Sequence, residues 1–450
     1  MYDGYQKNRK INSHPGCFVF NRGVKMNIKK TISFIMAFVI AVSACSIGAS
    51  ARNNISDPKN DAPFVFVHGL NGWGGAEGID GIIPYWGATT GDLMHYLQYE
   101  GYECYSASVG PVNSAWDRAC ELYAQIIGAT VDYGEAHSKK FNHARYGRTY
   151  YDALVPDWGE LDDAGKIKQI HLIGHSFGGT TVRMLVHLLT EGSAEEMAAT
   201  PSDEISGLFT GGKSDWVRSV TAICTPHNSA TVYYPLDVLG IIDIVMFLSY
   251  LYIGVVGRGP LNGELVDFHM EQYGLSEIPG GNEATGLFKA MKNVLANKED
   301  SSAYDLTPEG THKLNNELEI SDNVYYFSYP FSTTKPVPAL GIEIPRLSTN
   351  PVIILTAAMM GMMAFNDPVL GIEYGKEWLA NDALVNTESA KYPFDEPYTD
   401  FNSQSINKGV WNVMPVSEGD HGTAIGLFAN ETKTHGFYSE MCEMLNALPS

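Results

Sequence analysis

Cysteine and basic residues are scarce in this sequence. Its six cysteines in 450 residues include no C-x-x-C pair, so neither a disulfide framework nor a cysteine-bound metal is indicated. The four that follow residue 51 are expected to be buried thiols, with at most one disulfide. The 51 acidic residues outnumber 30 basic ones, for a net charge of −21, which argues against nucleic acid or an anionic membrane as a partner. No internal repeat or low-complexity tract occurs, and 44% hydrophobic residues are enough to form a core.

The N-terminal segment, 1–51, has the pattern of a secretory signal. A pair of lysines precedes an apolar stretch from Ile32 to Ile47, and an Ala-Ser-Ala exit follows it. We therefore expect residues 1–51 to be removed and residues 52–450 to be secreted as a single domain, with Met26 as the more natural start. Alternatively, Val-Ser-Ala-Cys ending at Cys45 resembles a lipobox, and lipidation there would anchor the protein at the cell surface.

Strands and helices alternate along residues 52–450. Short apolar runs predict strands, and amphipathic runs that end at a glycine predict helices. The predicted strands lie within 64–70, 102–110, 169–174 and 217–227, and the predicted helices within 91–101, 115–128 and 177–190. This alternation predicts an α/β fold, with a mostly parallel sheet and helices on both of its faces.

One junction between strand and helix carries a serine flanked by glycines. In KIKQIHLIGHSFGGTTVRML (166–185), a buried strand ends at Gly174 and a helix begins three residues later. So abrupt a turn strains the backbone at its apex and requires small neighbours, which Gly174, Gly178 and Gly179 supply. The sequence therefore predicts a nucleophile elbow, G-x-S-x-G, with Ser176 at its apex.

A nucleophilic serine needs a base and an acid, and behind such an elbow they follow in the order acid, then histidine. The histidines after Ser176 that we considered are His227, His269, His312, His421 and His435. His421 lies late in the chain, in the polar, glycine-flanked loop SEGDHGTAIG, and is the predicted base. Asp382, in the turn of EWLANDALVNTES, is the predicted acid.

Several segments spread along the chain occur together in one family of enzymes. They are APFVFVHGLNGWGG, YWG (85–87), VGP with WDRACELYAQ, TVDYGEAHSKKFNHARYGRTY, GHSFGG, TPH (225–227), AYDLTPEG, NDALVNT and GDHGTAIG. In these segments, from about Ala62 to Leu445, the chain resembles the zinc-containing thermoalkalophilic bacterial lipases, the family that includes the staphylococcal lipases. The resemblance implies an α/β-hydrolase fold with a lid and a zinc-binding insertion.

Carried over residue by residue, the resemblance implies the same nucleophile, acid and base: Ser176, Asp382 and His421. It also implies an oxyanion hole formed by the backbone N–H groups of Leu70 and Phe177. Two such groups aimed at a developing oxyanion each stabilise it by roughly 3 kcal/mol.

The resemblance further implies a zinc site in the insertion around 115–150 and 300, with Asp117, His137, His143 and Asp300 as ligands. From the residues alone, only the two histidines are suggestive. They lie in a polar segment bounded by glycines, at a spacing compatible with a shared tetrahedral site. A closed set of four ligands implies a structural zinc.

A calcium site of the same family is not expected here. Its members bind calcium through acidic residues two and seven positions after the catalytic histidine. Thr423 and Phe428 stand at those positions, and neither has a carboxylate to offer a hard cation.

A long apolar run, 233–257, lies within the segment around 230–275 where this family has its lid. Asp237 and Asp243 are its only charged residues. A transmembrane helix and a buried core helix are alternatives to a lid. We favour the lid, which would cover the site in water and open on lipid.

These observations predict a secreted lipase that hydrolyses triacylglycerols at an oil–water interface, with transient lipid-surface contact and no nucleic-acid partner. A phospholipase or a short-chain carboxylesterase is the alternative within catalysis. An idle, membrane-associated lipid-binding protein is the alternative of another class, against which an intact Ser176, Asp382 and His421 argue. Acyl-chain preference and oligomeric state cannot be read from the sequence.

Overall fold

A computed structural model describes residues 58–238, 269–274 and 299–450. They fall within one compact unit, Ile47–Ser450. The predicted signal segment 1–51, with Cys45, lies outside the described residues, as does most of the predicted lid around 230–275. Both remain predictions from sequence.

A parallel sheet of seven strands forms the centre of the described chain. Its strands, numbered among all strands in chain order, are β1 (Phe64–Val67), β2 (Cys104–Ala107), β5 (Ile170–His175), β6 (Val217–Ile223), β7 (Tyr325–Tyr329), β13 (Tyr398–Asp400) and β14 (Trp411–Val413). They lie in the order β13-β14-β7-β6-β5-β1-β2, and every neighbouring pair is parallel. Their carboxyl ends therefore share one edge, where ligands of such sheets bind.

Smaller ribbons flank this sheet. They pair β3 (Thr130–Asp132) with β4 (Tyr146–Thr149), β8 (Phe331–Ser332) with β15 (Ser417–Glu418), β9 (Thr334–Val337) with β10 (Ile342–Pro345), and β11 (Phe365–Asp367) with β12 (Ile372–Tyr374). The described α-helices are α1 (Leu93–Tyr99), α2 (Ala115–Ile127), α3 (Glu135–Phe141), α4 (Phe177–Glu191), α5 (Ala194–Ala199), α6 (Tyr233–Val238), α7 (Ser302–Asp305), α8 (Pro308–Glu317), α9 (Ile354–Met360) and α10 (Glu431–Asn446).

Apolar side chains cover both faces of the sheet. Val65 and Val67 of β1 point into one cluster, which includes the buried sides of α2 and α4. Phe64 and Phe66, on the other face, pack with α1 and α10. Because both faces are buried, β1 is apolar at every position, with the sequence FVFV. The predicted α/β fold, with helices on both faces, is confirmed.

The prediction for the cysteines can be compared with the described residues. Cys104, Cys120, Cys224 and Cys442 are all buried free thiols, so the disulfide that the sequence left open is not formed. No helix in the described ranges has both the length and the apolar character needed to cross a membrane.

The junction of β5 and α4 depends on glycines that let backbone meet backbone. A Cβ on Gly178 would lie 2.2 Å from the carbonyl oxygen of Val67, and one on Gly174 only 2.4 Å from the carbonyl carbon of Gly178. Either contact is far inside van der Waals distance. The first turn of α4 therefore packs directly on β1 and β5, and this packing places Ser176 at the sheet edge.

We expect Gly178→Ala to destabilise the protein by roughly 1–3 kcal/mol or more, because the added methyl group must push α4 off β1. Gly436→Ala is the matched control, since a Cβ there meets no atom within 4 Å. Within α10, that change should stabilise by roughly 0.5–1 kcal/mol. Urea unfolding of both variants measures the difference. Equal stabilities would show that α4 does not need this close approach.

Candidate active site and metal site

Ser176 has the backbone conformation of an elbow. Its φ is 55° and its ψ −127°, a region that costs a non-glycine residue about 1–3 kcal/mol. Its N–H donates to the carbonyl oxygen of Ile223 at 2.8 Å, which ties the elbow to the end of β6. The strain is maintained by the packing around it, and it places the serine beyond the carboxyl end of β5, at the N-terminus of α4.

Asp382 and His421 form a buried pair at the same edge of the sheet. His421 Nδ1 lies 2.8 Å from Asp382 Oδ2, and the His421 N–H donates to the Asp382 backbone oxygen at 2.8 Å. The other carboxylate oxygen accepts the N–H groups of Leu384 at 3.0 Å and Val385 at 2.7 Å. A carboxylate oriented in this way holds the proton on Nδ1 and leaves Nε2 free to accept one.

A chain of hydrogen bonds joins the loop of His421 to the loop that follows β1. His175, beside Ser176, has its Nε2 3.1 Å from the carbonyl oxygen of His421 and its Nδ1 2.7 Å from the hydroxyl of Tyr85. A carbonyl can only accept, so Nε2 carries the proton and Tyr85 donates to Nδ1. The Tyr85 oxygen in turn accepts the N–H of Gly69 at 2.9 Å.

This arrangement requires a neutral imidazole on His175. Burial, and then the neighbouring His421, lower the pKa of His175 well below its usual range, so the ring keeps a single proton at neutral pH. His175 and Tyr85 therefore act as orienting groups. They fix the distance between the predicted base and the loop that carries one predicted oxyanion donor.

The predicted oxyanion donors border Ser176. A Cβ on Gly69 would lie 2.8 Å from the Cβ of Ser176, so the loop that leads into Leu70 touches the elbow. Phe177 follows the serine as the first residue of α4. Within the described residues, neither the Leu70 nor the Phe177 N–H meets a hydrogen-bond acceptor, which leaves both donors available to a ligand.

Arg118 fixes the backbone of this loop from behind. Its guanidinium is fully buried and donates to the carbonyl oxygens of His68 and Gly110 and, at 2.8 Å, to the hydroxyl of Thr181. It also lies 5.2 Å from the centre of the Phe177 ring. Burial lowers the pKa of Arg118 to about 10, which leaves it charged at neutral pH.

Sequence reasoning missed Tyr85, Arg118 and the role of His175. A signal was present for each, because Tyr85 begins the YWG segment, Arg118 follows the predicted ligand Asp117, and His175 is the variable position inside the elbow motif. Their partners, however, are mostly backbone atoms of distant segments, which no sequence pattern identifies.

The other four candidate histidines have different surroundings. His227 is buried against the ring of Trp411, His269 lies 3.1 Å from Glu77, and His435 stacks on Tyr96. His312 is exposed to solvent on α8. Of the five, His421 is the one that the structure pairs with Asp382.

Cys224 lies close to His421 and Asp382. One ligand atom each from His175, Cys224 and His421 lies within 4.8 Å of the others, a distance at which three ligands could share an ion. Both nitrogens of His175 already have partners, however. Burial and the nearby Asp382 raise the pKa of the Cys224 thiol well above its usual value, so it stays protonated. We interpret this cluster as packing around the acid.

Asp117, His137, His143 and Asp300 converge in a second cluster. His137 Nε2 lies 3.2 Å from Asp117 Oδ1 and 3.3 Å from Asp300 Oδ1, and His143 Nε2 lies 3.4 Å from Asp300 Oδ2. Within the described chain, Asp117 Oδ1 and both Nε2 atoms are buried without a hydrogen bond of acceptable geometry. Buried polar atoms that face each other without bonding indicate a missing central partner.

The spacing of these atoms fits a tetrahedral ion. Bonds of about 2.0–2.1 Å to a four-coordinate ion separate neighbouring ligands by about 3.3–3.4 Å. The outer contacts also orient the ligands. His143 Nδ1 donates to the carbonyl oxygen of Ala144 at 2.8 Å, Ser114 donates to Asp300 at 2.7 Å, and Gln272 donates to Asp117 at 3.1 Å. A partner for the second ring nitrogen is usual among metal-binding histidines.

Thr423 and Phe428, where no calcium ligand is expected, each make a hydrogen bond. The Thr423 hydroxyl donates to Asp420 at 3.1 Å, and the Phe428 N–H donates to the hydroxyl of Thr89 at 2.7 Å. Thr89 also donates to the carbonyl oxygen of Gly426 at 2.9 Å. These bonds join the loop after His421 to the segment that follows Tyr85. That calcium is not bound remains a prediction.

Comparisons with known proteins agree with the fold described above. The family described as "Lipase-like, C-terminal domain" matches residues 60–447. The lipase of Staphylococcus hyicus is 36% identical over 85% of this chain and 56% of its own length. The chain thus spans about half the length of the curated relatives it matches.

Two solved structures match over nearly their full length. The crystal structure of Staphylococcus hyicus lipase superposes with a TM-score of 0.75 at 33% identity, over 88% of this chain and 98% of the other. The structure of EstA from Clostridium botulinum gives a TM-score of 0.74 at 34% identity, over 92% and 98% of the two chains.

We expect Tyr85→Phe to lower kcat for a soluble ester by roughly ten- to a hundredfold with little change in KM, because a loose loop misplaces reacting groups that must be held closely. Removing the hydroxyl breaks the link between Gly69 and His175. Tyr96→Phe is the matched control, since it loses one hydroxyl contact, to Ser439 on α10. If both variants kept wild-type kcat, the hydrogen-bond chain through His175 would have no part in positioning.

Proposed function

The chain belongs to the lipase-like C-terminal-domain family, and from this membership together with the site geometry we propose that it is a secreted lipase that hydrolyses triacylglycerols. The observation that carries the proposal is a buried His421–Asp382 pair at the same sheet edge as a strained Ser176. A turn of no catalytic use would need neither the strain nor an acid oriented by two N–H groups. The lipase names of its relatives support the same reaction class.

In the proposed reaction, Ser176 Oγ attacks the ester carbonyl carbon while His421 Nε2 takes its proton. Asp382 stabilises the resulting imidazolium, and the N–H groups of Leu70 and Phe177 bind the oxyanion. His421 then protonates the leaving alcohol oxygen as the carbon–oxygen bond breaks, which leaves an acyl group on Ser176. Water attacks this acyl-enzyme, gives a proton to His421, and releases the fatty acid as Ser176 recovers its proton.

We further propose that Asp117, His137, His143 and Asp300 hold a structural zinc ion. Burial opposes charge on His137, yet Asp117 and Asp300 outweigh it and raise the pKa of His137 to about 9. Two carboxylates so close together need a cation between them. A zinc ion would supply that charge, and with four protein ligands it has no open position for chemistry.

The proposed partners are an ester substrate at a lipid surface and no nucleic acid. The proposed location is extracellular, with the signal in residues 1–51, or at the cell surface if Cys45 is lipidated. The lid within 230–275 remains a prediction from its apolar sequence. We propose calcium independence because direct hydrogen bonds hold the loop after His421.

We expect Ser176→Ala and His421→Ala each to lower kcat for p-nitrophenyl butyrate by roughly 10³-fold or more, with the double variant little worse, since members of a triad act as a unit. His312→Ala is the control, because that imidazole is exposed on α8. Retention of a tenth of wild-type turnover by His421→Ala would show that another group is the base.

Zinc removal should lower thermal stability before it alters the chemistry. The ion would join α2, α3 and residue 300, so its binding free energy adds to that of folding. We expect about one zinc per chain by elemental analysis and a lower Tm on treatment with a strong chelator. His143→Ala should have both a lower zinc content and a lower Tm. The exposed His95→Ala should change neither. Added calcium should leave Tm unchanged. A zinc content below about a tenth per chain, with no Tm rise on adding zinc, would contradict the site.

A further inference from the structure

One segment of the described chain presents apolar side chains to solvent, and we call residues 338–371 the apolar segment. Leu347 is fully exposed, Val369 is 89% exposed and Leu340 is 70% exposed. Three further side chains are more than half exposed: Val352, Leu355 and Met362. No Asp, Glu, Lys or Arg occurs between Arg346 and Asp367, although the chain as a whole carries a net charge of −21.

The segment consists of hairpin turns and a helix, and the solvent-facing positions of such elements are usually polar. Leu340 and Val369 lie in the turns of the β9–β10 and β11–β12 hairpins, where polar residues are usual. On α9, Ala357 and Met360 are buried while Ile354 and Leu355 face solvent. A helix that is apolar on both sides is typical of one buried in protein or in lipid. Exposed apolar patches of this kind mark interaction surfaces.

Hydrogen bonds attach the apolar segment to the loops that carry the proposed acid and base. The Asn350 N–H donates to Asp420 Oδ2 at 2.8 Å, one residue before His421. The Asn381 amide, one residue before Asp382, donates to the carbonyl oxygen of Ala357 at 3.3 Å. The segment therefore borders the edge of the sheet at which the ester must arrive.

The same segment also contacts the beginning of the predicted lid. Tyr234 on α6 donates to Asp367 at 2.7 Å, immediately beyond the uncharged run. The apolar segment thus contacts both the loops of the proposed triad and the start of the segment that was predicted to open on lipid.

We propose that the apolar segment, through Leu340, Leu347 and Val369, docks the protein on a neutral lipid surface. The inference rests on the proposed function, which places the ester in a droplet rather than in solution. A surface with so few charges gains little from anionic lipid, and the acidic chain is repelled by it. The surface should therefore favour neutral or zwitterionic lipid, and its apolar contacts should persist at high salt, where surface ion pairs are screened.

The test compares Leu347→Asp/Val369→Asp with wild type in co-flotation with triacylglycerol droplets and with phosphatidylcholine and phosphatidylglycerol vesicles. We expect at least a tenfold lower partition onto droplets for the double variant, since burying even one such side chain corresponds to roughly that factor. Wild-type binding should be stronger on phosphatidylcholine than on phosphatidylglycerol and should survive 1 M salt, a roughly 3 Å Debye length. Turnover of p-nitrophenyl butyrate and Tm should match wild type, because both side chains are exposed.

Leu161→Asp is the matched control. Leu161 is 63% exposed but lies just before β5, at the amino edge of the sheet, opposite Ser176. It should keep droplet binding. Unchanged droplet binding by the double variant would overturn the proposal. So would a wild-type dimer in sedimentation that the double variant dissociates without losing droplet binding, since a second copy would then cover the segment.

A gain in soluble-ester turnover by the double variant, with droplet binding intact, would likewise overturn the proposal, because the predicted lid would then be the occupant. Failure of the proposed function has a different signature. Wild type would leave p-nitrophenyl butyrate intact, while flotation, which needs no turnover, would still report whether the segment binds lipid.

Discussion

The buried guanidinium of Arg118 is the contact on which the candidate site most depends. A charge without access to water must have all its donors bonded, or it destabilises the fold by several kcal/mol. Arg118 meets this requirement with the carbonyl oxygens of His68 and Gly110 and the hydroxyl of Thr181. The loop after β1, the loop after β2 and α4 must therefore keep fixed relative positions. The proposed oxyanion donor Leu70 lies in the first of these loops, and Ser176 and the proposed donor Phe177 lie at the start of α4.

The helix that carries Arg118, α2, also carries the proposed metal ligand Asp117. Asp117 and Arg118 are consecutive on α2, so one points into the four-ligand cluster and the other into the loop beside Ser176. Glu121, one turn further, accepts the N–H of Gly110 and the hydroxyl of Tyr133, and burial raises its pKa to about 7. A change in the position of α2 would therefore reach the metal site and the oxyanion loop together, which gives a structural ion a route to influence catalysis without contacting substrate.

Sequence patterns were sufficient to predict those features that depend only on residues close together in the chain. The elbow needs a buried strand, small residues and a helix in succession, and all three are consecutive in the sequence around Ser176. The order of acid and then histidine narrowed the choice of base to His421, because only one late histidine lay in a glycine-flanked loop. The hydrogen bonds of Tyr85 and Arg118 were not foreseeable, since their acceptors belong to segments that meet only in the folded chain. The exposed side chains of 338–371 were also beyond sequence, because apolar residues on hairpins and a helix ordinarily indicate a core.

The two unusual surfaces of the protein have complementary consequences. An acidic chain keeps itself soluble and is repelled by anionic lipid and by other copies of itself. An exposed apolar segment without this charge would favour aggregation. In one protein, the acidic charge of the chain limits self-association, and the apolar segment favours binding to an uncharged surface. Because Asn350 and Asn381 bond this segment to the loops of His421 and Asp382, a protein held by it would have its sheet edge turned toward the lipid. Recognition of the surface and orientation of the proposed triad would then depend on the same contacts.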